Sequence, residues 1–112
     1  MNVVEKTNSY KSKNKQKMVE AVSKLFAKED KIEDLISVFK EMIEPTKKEK
    51  GYILYEMYQD EEDPATLIVL EQWETKEDFD NHCISGHFER IIPRMVSCMA
   101  KQSEVNICYR VA

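Results

Sequence analysis

Two histidines, His82 and His87, are the only imidazoles in this 112-residue chain, and they flank a Ser85-Gly86 break. Imidazole is the side chain whose ordinary titration lies nearest neutral pH, so either ring could serve as a general base or a hydrogen-bond acceptor. His87 falls in the first turn of a helix that Ser85 opens, where the partial positive charge of the helix N-terminus favours the neutral ring. His82 falls near the end of the preceding helical stretch and could line the same region. Trp73, at the end of a strand, offers a flat apolar wall and one N–H donor. Tyr55, Tyr58, Phe39, Met42 and Phe88 could shape an apolar pocket for a flat ligand. Each residue also has a structural reading. A histidine near a helix start is often a plain hydrogen-bonder, Trp73 could be core or interface, and the Phe and Met stripe reads first as core. Glu56 and Glu71 lie in strands that look buried on both faces, so each would need a partner inside, for which Arg94 and Arg110 are available.

Other chemistries lack their residues. There is no G-x-G-x-x-G, no P-loop and no H-E-x-x-H, which removes nucleotide-binding and zinc-protease readings. Asp60 to Asp63 are consecutive acids without the spaced ligands and glycine of a calcium loop, so they read as a solvated hairpin turn. No metal site is expected. Net charge is −4, the wrong sign for a nucleic-acid surface. The basic residues that do cluster, Lys6, Lys11, Lys13, Lys15 and Lys17, have Glu5 as their only acid. Residues 1–16 read as a polar tail, with a basic arm for a polyanion as the alternative, and residues 17–112 as one domain. The tail lacks an apolar signal-peptide core, and no run is long enough to span a membrane. Cys83, Cys98 and Cys108 are scattered with no C-x-x-C, a pattern that fits reduced thiols and a cytoplasmic protein.

Periodicity supplies the elements that must position these side chains. Met18 to Lys28 alternates as a strand. Asp30, with Glu33 three residues on, reads as a capping box opening a helix with an apolar stripe of Ile32, Leu35, Ile36, Phe39, Met42 and Ile43. Pro45 should end or kink it, and Lys47, Lys48 and Lys50 before Gly51 suit its last turn and cap. Tyr52 to Gln59 and Thr66 to Trp73 form a hairpin around Asp60 to Pro64. Thr75, with Asp78, opens a second helix, and Ser85 caps a third bearing Phe88, Ile91, Ile92, Met95, Val96 and Met99. Glu104 to Val111 is the last strand. The order β-α-β-β-α-β, with the second helix broken in two, predicts an α+β ferredoxin-like fold with helices on one face of the sheet. Leu67, Ile68, Val69 and Leu70 are consecutive, so apolar groups point to both faces. A second copy is the simplest cover for the face the helices leave bare, which predicts a homodimer. On that reading Val69→Asp disrupts dimerisation or folding.

Three segments in order carry a family resemblance: EPTKKEKGYILYEMYQDEEDP, LEQWETKEDFDNH and SGHFERIIPRM. They include Glu44-Pro45-Thr46, the Tyr55-Glu56-x-Tyr58-x-Asp60 strand, Glu71-x-Trp73, and His82-x-x-Ser85-x-His87-Phe88. Together they resemble the antibiotic-biosynthesis monooxygenase family from about Met18 to Val111. The resemblance implies a dimeric α+β barrel made of two facing sheets, with a pocket between sheet and helices in each protomer. It implies an enzyme that uses O₂ without flavin, metal or haem to oxidise a quinol, anthrone or similar electron-rich aromatic. It implies His87, His82 and Trp73 as the catalytic groups, with Tyr55, Tyr58, Phe39, Met42 and Phe88 around the substrate. A haem-degrading branch resembles the chain at Trp73, yet that branch's first-strand asparagine and last-helix histidine correspond here to Val22 or a neighbour and to Ile92. An isomerase or small-molecule-binding dimer of the same fold is the other alternative.

Overall fold

The structure, a computed structural model, describes residues 17–112. The tail predicted over residues 1–16 lies outside the described residues. The elements run β1 (Val19–Ala27), a 3-10 turn (Glu29–Lys31), α1 (Ile32–Lys47), β2 (Tyr52–Gln59), β3 (Thr66–Trp73), α2 (Lys76–Cys83), α3 (Gly86–Ser97) and β4 (Met99–Tyr109). The strands form one antiparallel sheet in the order β2-β3-β1-β4. This is the ferredoxin-like α+β arrangement with its second helix split.

The pleat decides which side chains meet the helices. Leu67, Val69, Glu71 and Trp73 alternate along β3 and are all buried. Their partners on β1, Leu25, Ser23, Ala21 and Val19, share that face. Leu35, Phe39 and Met42 of α1 and Ile91 and Met95 of α3 close over it, in one cluster with Leu25, Tyr55, Leu67 and Val69. Burying each large side chain of this kind stabilises the fold by about 1.5–3 kcal/mol. Ile68 and Leu70 point the other way and are half-buried, as is Leu54 on β2. The run Leu67 to Leu70 therefore does serve two faces, but Val69 serves the helix side and is 4% exposed. An Asp at Val69 reports on the core, and the open face is probed at Leu70 instead.

Three local expectations shift. Asp30 does not cap α1: it lies within the 3-10 turn, and the helix starts after Lys31 with no side-chain cap. The turn's own Lys31 N–H to Lys28 carbonyl bond, 2.9 Å, carries the chain into the helix instead. Pro45 does not stop α1, which runs on to Lys47. Proline removes one donor in the last turn, and the helix then closes with three-residue bonds of the 3-10 type, from Lys48 N–H to the Pro45 carbonyl and Glu49 N–H to the Thr46 carbonyl. β4 begins at Met99 rather than Glu104. Met99 and Lys101 pair with Ala27 and Phe26 across irregular register, a pairing that the polar Lys101-Gln102-Ser103 sequence does not advertise.

Gly51 ends the α1–β2 loop at φ 82°, the left-handed region that glycine enters without strain. A Cβ built there would collide with the carboxyl of Asp78, a buried residue of α2's first turn. The Gly51 carbonyl also accepts the Glu74 N–H at 2.8 Å. The loop carrying Glu49 is thus docked against the start of α2.

Candidate active site

The α2–α3 junction brings the two histidines together. Thr75 caps α2 by accepting the Asp78 N–H at 3.1 Å, and Ser85 caps α3 by accepting the Phe88 N–H at 3.3 Å. The same Ser85 hydroxyl donates to the His82 carbonyl at 2.7 Å, so one side chain closes α2 and opens α3. The rings of His82 and His87 then lie 6.0 Å apart, centre to centre.

Glu49 joins them. Its Oε2 lies 2.6 Å from His82 Nδ1 and 2.9 Å from His87 Nε2. A carboxylate only accepts, so these two ring nitrogens carry the hydrogens and donate to Glu49. Thr46 Oγ1 and Ser85 Oγ stand beside His87 Nε2 at 3.4 and 3.3 Å. For His82 this tautomer leaves Nε2 with a lone pair. That atom is buried and has no hydrogen-bond partner among the described residues, an arrangement that costs about 1–3 kcal/mol and in a native fold asks for a reason. Glu71 Oε1 faces it at 3.8 Å, and Glu71 in turn accepts the Trp73 Nε1–H at 2.9 Å.

Aromatic rings enclose the imidazole. Trp73, Phe88 and Tyr55 surround His82 with centroid distances of 4.8, 5.2 and 5.4 Å, and Phe39 stacks behind Tyr55 at 5.0 Å. Burial in this box holds His82 below the usual histidine range, against the opposing pull of Glu49. Burial pushes the Glu71 carboxyl up to about 7, opposed by the Trp73 hydrogen bond and reinforced by the charge of Glu49. Tyr55 is raised by burial and by the nearby Glu71, Cys83 and Glu49, so it remains a phenol. Burial likewise pushes Cys83 up to about 11, which keeps it a thiol and a poor nucleophile.

These shifts couple folding to pH with opposite signs. Glu71 holds its proton more tightly folded than unfolded. Its stabilisation is complete below the ordinary 4.5 and is lost as pH rises through about 7. His82 holds its proton less tightly folded. Its contribution is present above 6.5 and is lost as pH falls through its lowered value. Glu71→Gln cannot ionise, so the variant is expected to lose less stability than the natural chain as pH climbs from 5 to 8. Urea unfolding across that range measures the difference, and parallel curves would show that Glu71 titrates as an ordinary carboxyl.

The structure gathers five of the eight residues singled out from sequence, His82, His87, Trp73, Tyr55 and Phe88, into one site. Phe39 supports it from behind. Met42 is fully buried in the main core. Tyr58 lies elsewhere: it pairs with Ile68 on the opposite face of the sheet, is 49% exposed and donates to Glu56 at 2.6 Å. The arginines proposed as partners for buried acids are engaged outside, Arg94 with Glu41 and Arg110 with the Ala112 carbonyl. Nothing in the sequence marks Glu49, which lies in the lysine-rich loop between α1 and β2. Glu71 carried a usable signal, since it occupies the buried phase of β3 between Val69 and Trp73.

Glu49, His82 and His87 each offer one donor atom, all within 4.8 Å of one another, and they are the residues that could hold a divalent ion. Ligands spread tetrahedrally around zinc at about 2.0–2.1 Å stand roughly 3.3 Å apart. The 2.6 and 2.9 Å separations to a single Glu49 oxygen are hydrogen-bond lengths instead. A separate cavity of about 330 Å³, lined by Glu20, Gln72 and Cys108 among others, opens beside the sheet at residues whose side chains point away from His82.

The family model for antibiotic biosynthesis monooxygenases matches residues 18–94. The chain belongs to this family. The matched span contains Glu49, Glu71, Trp73, His82 and His87. A conserved protein from Methanosarcina mazei Go1 superposes with a TM-score of 0.82 at 33% identity, covering 89% of this chain and 99% of its own. A crystal structure named as an antibiotic biosynthesis monooxygenase superposes with a TM-score of 0.78 at 23% identity, over 84% of this chain and 99% of that one; at that identity it supports the fold. An uncharacterized protein of Synechocystis sp. is 31% identical over 85 residues, which is 76% of this chain. The chain spans 57% of that relative's length. Among the described residues no helix is long and apolar enough to cross a membrane, and all three cysteines are free.

Proposed function

We propose that this member of the antibiotic biosynthesis monooxygenase family oxidises a quinol, anthrone or similar electron-rich aromatic with O₂, without a bound cofactor. The observation that carries the reading is His82 Nε2: a buried, unpartnered lone pair on a ring whose other nitrogen is held by Glu49. This is a base fixed in one tautomer and orientation, as such chemistry requires. The aromatic rings packed around it keep the base out of water.

The chemistry balances on these groups. His82 takes an acidic C–H or O–H proton from the substrate. The resulting anion gives one electron to O₂, and the radical pair combines to form a carbon–oxygen bond. The peroxide takes back the proton, then loses water as the O–O bond breaks and a carbonyl forms. For an anthrone the sum is CH₂ + O₂ → C=O + H₂O. Oxygen uptake by the metal-stripped protein on reduced naphthoquinols and anthrones, with ¹⁸O₂ and mass spectrometry of product, tests the reading. Uptake above the uncatalysed rate with one labelled oxygen in product supports it. No uptake would move the same base to proton abstraction beside a carbonyl, the chemistry of an isomerase.

The open sheet face fits a second copy of the chain. Val22, Leu54, Ile68 and Leu70 lie on it half-buried, among polar neighbours such as Glu20, Lys24 and Glu56. Covering such a face by its own two-fold mate is the commonest solution. In sedimentation the natural chain is expected to run as a dimer and Leu70→Asp as a folded monomer. Equal sedimentation of the two proteins would assign that face to solvent.

A further inference from the structure

The His82–Glu71 contact holds more than one base needs. Two lone-pair atoms, His82 Nε2 and Glu71 Oε1, face each other at 3.8 Å inside the protein. Glu71 is 7% exposed and His82 is fully buried. With no hydrogen between them the two would repel, so one proton belongs to the pair. The separation is also what a single hydroxyl oxygen spans when it makes a bond of about 2.8 Å to each side. Burial of both groups favours that proton on the carboxyl, which leaves the pair uncharged. The hydrogen bonds from His82 Nδ1 to Glu49 and from Trp73 to Glu71 Oε1 pull the other way, toward imidazolium and carboxylate, and keep the balance close. Of the other titratable neighbours, Tyr55 and Cys83 both remain protonated, and the His87 ring lies 6.0 Å from that of His82.

We propose that Glu71 is the acid of the site: it protonates the oxygen that leaves when the substrate peroxide breaks down, and recovers its proton from His82. This rests on the monooxygenase reading and completes it. Breakdown of R₂CH–OOH needs a base for the C–H and an acid for the departing hydroxide. His82 Nε2 removes the C–H proton, the electron pair forms the C=O bond, the O–O bond breaks, and Glu71 delivers a proton to give water. The site is then imidazolium and carboxylate. A proton then returns from Nε2 to Glu71 Oε1 across the 3.8 Å between them, and both groups are reset. Burial that holds Glu71 near neutrality matches a group that must give and retake a proton in each cycle.

Glu71→Gln tests this, because the amide oxygen can still accept from Trp73 while the acid is gone. In single turnovers with ¹⁸O₂, the variant is expected to accumulate labelled hydroperoxide and to release ketone about 10²-fold more slowly. Infrared spectra of the natural chain at pH 6 should show a buried carboxylic C=O band that the variant lacks. Ketone release at the natural rate by a folded variant would overturn the assignment while leaving the base reading intact. No oxygen uptake by the natural chain would overturn both the monooxygenase reading and this step, and the infrared band would then separately report whether the pair shares a proton. Absence of the band at pH 6 would overturn Glu71 as a proton donor whatever the kinetics.

Discussion

His82→Gln lowers turnover by about 10²–10⁴-fold, the usual worth of a positioned base. The substitution keeps a polar side chain of similar length, so a modest change in unfolding midpoint is expected beside the kinetic loss. The loss should fall on kcat and kcat/KM together, since the interaction removed is made in the transition state. His87→Ala provides the contrast. His87 donates to the same Glu49 oxygen but does not hold the orphaned nitrogen, so its removal should cost less. Oxygen-electrode rates on an accepted quinol or anthrone decide the matter. Equal losses at the two positions would mean that Glu49 with both rings acts as one unit. A His82 variant with the natural rate would remove the imidazole from the chemistry.

Trp73→Ala destabilises the fold by about 3–5 kcal/mol, a large part of the roughly 5–15 kcal/mol that holds a domain of this size together. Trp73 is completely buried at the end of β3, with Tyr52 edge-on to it at 6.3 Å and His82 against its face. Removal opens a cavity and also strands Glu71, whose hydrogen bond comes from the indole N–H. Trp73→Phe separates the two effects. It restores most of the packing but not the donor, so it should recover much of the stability while pushing the Glu71 carboxyl still higher. Urea unfolding measures the first effect, and the pH at which the carboxylic infrared band disappears measures the second. A Phe variant with an unmoved band would show that the indole N–H does not tune Glu71.

The order of elements and the buried stripes were set by residue type and spacing, because local periodicity reports which face a side chain occupies before anything is assembled. Leu35, Phe39 and Met42 recur at helical spacing, Leu67, Val69 and Trp73 at strand spacing, and Thr75 and Ser85 cap the helices they precede. The histidines and Trp73 were visible for the same reason: their types are scarce and sit at element ends. Their meeting with Glu49 and Glu71 was not visible. Glu49 belongs to a loop 33 residues from His82 in sequence, in a charged run where any acid looks solvated. It enters the site only because Gly51 turns the chain against Asp78. The loss of Tyr58 from the site and the gain of Glu71 follow from the phase of pairing between β2 and β3, where a single register step exchanges inside for outside. Sequence patterning therefore determined the α+β fold and the parts of its site. Tertiary packing alone decided which acid holds which ring, because burial and hydrogen bonding depend on groups that only the folded chain brings within 4 Å.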